Sequence, residues 1–171
     1  MSADPKKSYH LKFAVDAMLG NLARYLRMLG YDTVYSTNLE DAQLLELCQA
    51  EGRILVTGDR VLAATARRMD CKVLLLEPED SARLPRALGK VAEAFSLRLK
   101  IDPEHSRCPL CNSVLRRADI DEVKAAGLTP GKGALKCDNC GNIYWAGGHW
   151  RTIKAVLEEA ERLQRTPERD H

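Results

Sequence analysis

The sequence predicts a parallel α/β sheet with helices on both faces, followed by a small cysteine-knuckle module and a closing helix. Two observations carry that prediction. Short apolar, β-branched runs alternate with stretches of helical periodicity up to about residue 100. Beyond that point the alternation stops, and two Cys-x-x-Cys pairs follow.

The elements follow in order. Residues 1–9 read as a polar lead-in. Leu11 to Val15 reads as a strand ending at Asp16. Leu19, Leu22, Ala23, Leu26 and Leu29 recur at helical spacing, and Gly30 suits the stop. Thr33 to Tyr35 reads as a second strand. Leu44, Leu45, Leu47 and Cys48 mark a second helix ending near Gly52. Arg53 to Thr57 is a continuous run, β-branched at Ile54, Val56 and Thr57, as suits a strand buried on both faces. A helix over Arg60–Met69, a strand over Lys72–Leu76 and a long helix from Leu84 to Leu99 complete the pattern. Strands alternating with helices this way make βαβ units, whose right-handed crossovers cover both sheet faces. Pro103 and its polar neighbours read as a linker. Trp150, Ile153, Leu157, Ala160 and Leu163 mark the final helix. The expected units are 10–100 for the sheet and 104–165 for the cysteine module with that helix.

The composition excludes several classes of function. The 171 residues carry 26 Lys+Arg against 24 Asp+Glu, too balanced for a basic coat protein of nucleic acid. Aromatics are 5%, too few for an extended base-stacking platform. The first ten residues are polar, no apolar signal region follows, and no run approaches a membrane span. The expectation is a soluble cytoplasmic protein without membrane partners, in which six cysteines are reduced.

Cys108-x-x-Cys111 and Cys137-x-x-Cys140 stand with 25 residues between the pairs. Each such turn offers two thiolates from one tight loop, and two turns close a tetrahedral zinc shell. Asn112 and Gly141 follow the second cysteine of each pair, where a knuckle needs a left-handed residue. A closed four-thiolate shell makes the zinc structural, leaves His105 and His149 as non-ligands, and is expected to hold its own module without the sheet depending on it. Cys48 and Cys71 read as small buried hydrophobes.

Asp16, Asp41 and Asp59 each fall near a strand-to-helix junction. In a parallel sheet those junctions share the carboxyl edge, where ligand sites form. Two readings stand. The acids are helix caps, with Asp41 completing a capping arrangement begun at Asn38. Alternatively, they converge on a divalent cation, Mg²⁺ or Mn²⁺, which relieves their repulsion.

The segments Phe13–Thr33 and Ile54-Leu-Val-Thr-Gly-Asp59-Arg60, and the cysteine pairs followed by Tyr144-Trp145-Ala-Gly-Gly-His149-Trp150, resemble the Mut7-C RNase domain over roughly residues 11–155. The resemblance implies a PIN-like nuclease sheet fused to a zinc ribbon. It also implies metal-dependent hydrolysis of single-stranded RNA leaving 5′-phosphate and 3′-hydroxyl ends. By position, Asp16, Asp41 and Asp59 match the catalytic acids. Glu40, Glu77 and Asp80 are further acids considered for the same role. Gly58 stands where the family commonly has Arg, and Tyr25 where it has Trp.

Asn21, Arg24 and Arg60 are the expected substrate contacts, each weighed against an ordinary solvated surface. Arg67-Arg68, Arg116-Arg117 and Lys132 with Lys136 extend a track of positive charge or form ordinary surface. Trp150 is expected to pack, and Trp145 is open between packing and base contact. The expected partner is RNA, alone or in a ribosome or other ribonucleoprotein. The alternative function is a non-catalytic RNA- or ribosome-binding module. The oligomeric state is left open.

Overall fold

A computed structural model describes residues 8–35, 37–129 and 133–165. Four strands, β1 (Lys12–Val15), β2 (Asp32–Val34), β3 (Ile54–Thr57) and β4 (Val73–Leu75), form a parallel sheet in the order β2-β1-β3-β4. The apolar runs therefore become strands as expected, within a residue or two of the boundaries read from sequence. β3 lies in the middle with all four residues buried, in keeping with its unbroken apolar run.

Alternation along the strands sorts the helices onto two faces. Phe13, Val15, Ile54 and Val56 point to one face, against α1 (Gly20–Met28), α5 (Leu84–Phe95) and α7 (Trp150–Arg165). Ala14 and Leu55 point to the other, against α2 (Asp41–Glu51) and α3 (Arg60–Arg68).

Two elements differ from the expectation. The helix expected to reach Leu99 stops at Phe95, because Ser96 turns left-handed (φ 53°). The turn sends Leu97 back into the core, where it is 4% exposed. A short helix α4 (Pro78–Ser81), with proline in its first turn, follows β4 unannounced.

The cysteine module is a three-stranded antiparallel sheet, β5 (Arg116–Arg117), β6 (Ala134–Lys136) and β7 (Ile143–Trp145), in that order. Between β5 and β6 lies α6 (Ile120–Ala125), opened by a capping box of Asp119 and Glu122. That Asp-x-x-Glu signature is visible in the sequence.

The sequence reading groups the last helix with the cysteine module. In the structure α7 lies along α5 of the sheet unit. Gly89 permits the approach: a Cβ there would stand 3.1 Å from the Ala160 carbonyl and 3.5 Å from Leu163 Cβ. Leu157 and Ala160 are buried in the same core as Leu88 and Val91. No helix among the described residues is long and apolar enough to cross a membrane.

Gly89→Leu is expected to push α7 off α5 and cost about 1–3 kcal/mol by overpacking. A lowered midpoint in urea denaturation would register it.

Candidate functional site

The carboxyl edge of the sheet is built from neighbouring strand ends. Val15 pairs in register with Val56, and the Asp16 amide donates to the Val56 carbonyl (3.1 Å). Asp16 therefore lies beside Thr57, the last residue of β3. The Thr57 hydroxyl donates to Asp16 Oδ2 (2.8 Å) and accepts from the Asp59 amide (2.9 Å). One fully buried threonine thus ties the two acids together. Sequence reading missed it, although Thr57 sits inside the quoted motif; a hydroxyl ending an otherwise apolar strand was the available signal.

Both acids also cap. Asp59 Oδ1 accepts the Val61 and Leu62 amides (2.7 and 3.0 Å) at the start of α3, and Asp16 Oδ1 accepts the Met18 amide at 3.4 Å. The capping reading holds for these two, and it leaves Asp59 Oδ2 free of hydrogen bonds among the described residues.

Asp41 is the first residue of α2, exposed, and not part of that link. The capping arrangement there begins at Glu40, whose amide donates to Gln43 Oε1 (3.0 Å), rather than at Asn38. Among the described residues, the cysteines are the group of three or more metal-binding side chains whose ligand atoms lie within 4.8 Å of one another. The three aspartates are not drawn that close.

The other acids are committed elsewhere. Glu77 pairs with Arg60 (2.7 Å), and Asp80, buried, pairs with Arg86 (3.2 Å). Arg60 thereby meets a carboxylate at the same edge. Asn21 and Arg24 are exposed on α1. Gly58 has room for a side-chain carbon, with no neighbour closer than 3.7 Å, so packing does not demand glycine there. The basic pairs of the cysteine module meet local acids. Arg116 binds Glu122 and Asp138, Arg117 binds Glu104, and Lys136 binds Glu122. Lys132 lies outside the described residues.

The four thiols converge as the spacing predicts. Cys108 Sγ lies 3.6 Å from Cys140 Sγ, and Cys111 Sγ lies 3.4 Å from Cys137 Sγ. A tetrahedron with zinc–sulfur bonds of about 2.3 Å needs sulfurs roughly 3.8 Å apart, so the set fits a structural zinc. The two knuckles repeat one backbone pattern. Asn112 and Gly141 are left-handed (φ 69° and 76°), and their amides donate to the Cys108 and Cys137 carbonyls (2.9 and 2.8 Å). His105 stacks on Tyr9 and bonds Asp102 instead of joining the thiols. Cys48 is buried, which pushes its thiol up to about 11.

The first knuckle is bonded to the sheet. Arg27 is 5% exposed; its Nε donates to the Thr33 carbonyl (2.9 Å) and its Nη1 to the carbonyls of Pro109 and Leu110 (2.9 and 3.0 Å). Asn112 completes the clamp. Its Oδ1 accepts the Thr33 amide (3.1 Å), and its Nδ2 donates to Asp32 Oδ1 (2.8 Å). Asp32 in turn pairs with buried Arg53 (2.8 Å). The expectation that the sheet is indifferent to the cysteine module therefore has these bonds against it. They also fix where the module sits: against the amino end of the edge strand β2, opposite the edge that bears Asp16 and Asp59.

One zinc per chain is expected, and Cys137→Ser should release it. Zinc supplies on the order of 10 kcal/mol to such a module. Because Asn112 and Arg27 hold Thr33, hydrogen exchange at the Thr33 amide should speed up together with exchange in the module.

Burial raises the Asp32 carboxyl, but hydrogen bonds from Arg53 and Asn112 and the Arg53 charge outweigh it, leaving it below the ordinary carboxylate range. A group depressed on folding contributes stability above its unfolded pKa, about 3.9, and loses it as pH falls toward the folded value. Asp32→Asn should therefore cost about 2 kcal/mol at pH 7, with the gap to the parent protein closing below about pH 4. Urea titrations at several pH values measure it.

No curated protein and no solved structure matches the chain. The family model described as the Mut7-C RNAse domain matches residues 11–157. That span takes in the Asp16–Thr57–Asp59 edge, the Arg27 clamp, the four knuckle cysteines and the first half of α7, and by it the chain belongs to the Mut7-C RNase domain family.

Proposed function

We propose that the chain is a metal-dependent ribonuclease that hydrolyses phosphodiester bonds of single-stranded RNA at the carboxyl edge of its parallel sheet. The observation that carries the reading is the Asp16–Thr57–Asp59 link, at adjacent strand ends of a chain in an RNase family. Among the described residues none of Asp16, Asp41 and Asp59 has a cationic partner, whereas Glu77 and Asp80 do. Asp16 and Asp59, joined through Thr57 and left without a cation, are what such a site offers, and Asp41 stands apart at the start of α2.

Asp16 and Asp59 would hold Mg²⁺ or Mn²⁺, with Asp41 contributing from the start of α2. Such an ion supplies positive charge for the phosphate and makes a bound water more acidic. The chain's own part is positioning. Thr57 holds the Asp16 carboxylate and the Asp59 backbone, and two helix amides orient the Asp59 carboxylate. Arg24 is exposed on α1, whose start follows Asp16, and is available to a phosphate oxygen. Arg60 must exchange Glu77 for phosphate to act on the substrate. The cysteine module assists RNA binding from the opposite edge.

The test is incubation of the purified chain with single-stranded and structured RNA, with and without Mn²⁺ or Mg²⁺. Cleavage to 5′-phosphate ends is expected only with the divalent ion. Asp59→Asn should lower it by roughly 100-fold or more at near-constant stability, since asparagine caps a helix as well as aspartate. Thr57→Val should lower both activity and stability, the latter by about 1–2 kcal/mol. RNA binding without cleavage under every ion condition would leave the non-catalytic module as the better reading.

A further inference from the structure

A cavity of about 470 Å³ opens between the cysteine module, the linker after α5 and the start of α7. Its walls are mostly apolar, with Leu135, Ile143 and Trp145 on one side and Ile101, Trp150 and Ile153 on the other. Arg107 and His149 also line it, and no carboxylate does, in a chain with 24 acidic residues. Apolar walls bearing two indoles, with a guanidinium, an imidazole and no acid, suit a planar body that carries negative charge. A nucleotide is such a body.

We propose that this cavity takes an unstacked base of the RNA, with Arg107 or His149 on the adjoining phosphate. The proposal rests on the action on RNA proposed above and adds where the strand is gripped. Two details support it. A Cβ at Gly147 would stand 2.7 Å from Trp145 Nε1, so glycine lets the indole lie across the backbone there and keep its place in the wall. Trp145 is 48% exposed, a large aromatic surface left uncovered beside a cavity. A base paired in a duplex is stacked on both sides and cannot enter, which makes the site selective for single strands.

The geometry also separates grip from cleavage. Met28, which lines the cavity, ends α1 at the amino edge of the sheet, and Ser106 holds its carbonyl there (2.9 Å). The acids stand at the carboxyl edge, one strand length of about 13 Å away. RNA held in the cavity is therefore cut at a distance from the gripped base, and a single nucleotide can fill the cavity without reaching the acids.

The chain has two tryptophans, and both line the cavity, so intrinsic fluorescence reports on it directly. Zinc-loaded full-length protein without added Mg²⁺ or Mn²⁺ is titrated with an oligoadenylate of about ten nucleotides, and with the same sequence as a duplex. Quenching by the single strand and not by the duplex is expected. Gly148→Phe fills the cavity. Gly148 lines it, and a Cβ there meets nothing within 4 Å, so the variant should fold. It should weaken binding about tenfold and raise KM while leaving kcat on saturating RNA unchanged, and Trp145→Ala should do the same. Unchanged affinity in both variants, or equal quenching by duplex, overturns the proposal even where cleavage is intact. Loss of cleavage activity under every ion condition, with variant-sensitive oligoadenylate binding retained, instead ends the nuclease reading and keeps the cavity as the RNA site.

Discussion

The buried guanidinium of Arg27 is the contact on which the arrangement of the chain depends. It reaches two carbonyls of the first cysteine knuckle and one of the edge strand β2 from a single planar fork. Burial lowers its pKa, yet arginine stays charged under such an influence. A lysine could not serve three carbonyls in that plane. Asn112 adds a second tie from a residue whose left-handed backbone the knuckle requires in any case. The same residue whose backbone shapes the knuckle also seals the outer edge of the sheet with its side chain. An open strand edge is a template for unwanted pairing, and here the Thr33 amide and carbonyl are both occupied.

At the opposite edge, Thr57 plays the corresponding part for the acids. Its hydroxyl is both donor and acceptor, so one side chain fixes the Asp16 carboxylate and the backbone of Asp59. The two ends of the sheet thus solve similar problems by different means: a cation and an amide hold the module, a hydroxyl holds the acids. The hydroxyl does this without adding a charge beside the acids.

Much of this was legible in the residues. Strand and helix positions followed from apolar periodicity because nearly every element buries one face or two. The thiol set followed from spacing, and the left-handed knuckle residues from their side-chain types. The long-range ties were not legible. Arg27 stands at the margin of the apolar stripe of α1, and nothing in the sequence names the carbonyls it reaches, two of which lie more than eighty residues away. The bond from Asn112 to Thr33 joins positions 79 apart. The early stop of α5 depends on Ser96 accepting a left-handed turn that few sequences advertise. The acids were legible as residues at strand ends, but their different surroundings were not: two joined through Thr57, and Asp41 apart at a helix start.

The close packing of α7 on α5 has a consequence for how the chain folds as it is made. The core between sheet and helices joins Phe13 and Val15 of β1 to Leu157 and Ala160 of α7, far later in the chain. Domains emerge from the ribosome from the amino end, at about 5–20 residues per second. The face of α5 around Gly89 and Leu88 therefore stays uncovered while the whole cysteine module is being synthesised. The module has time to gather its thiols before α7 closes the larger core. A nascent chain stalled near residue 149 would present that open apolar face to chaperones.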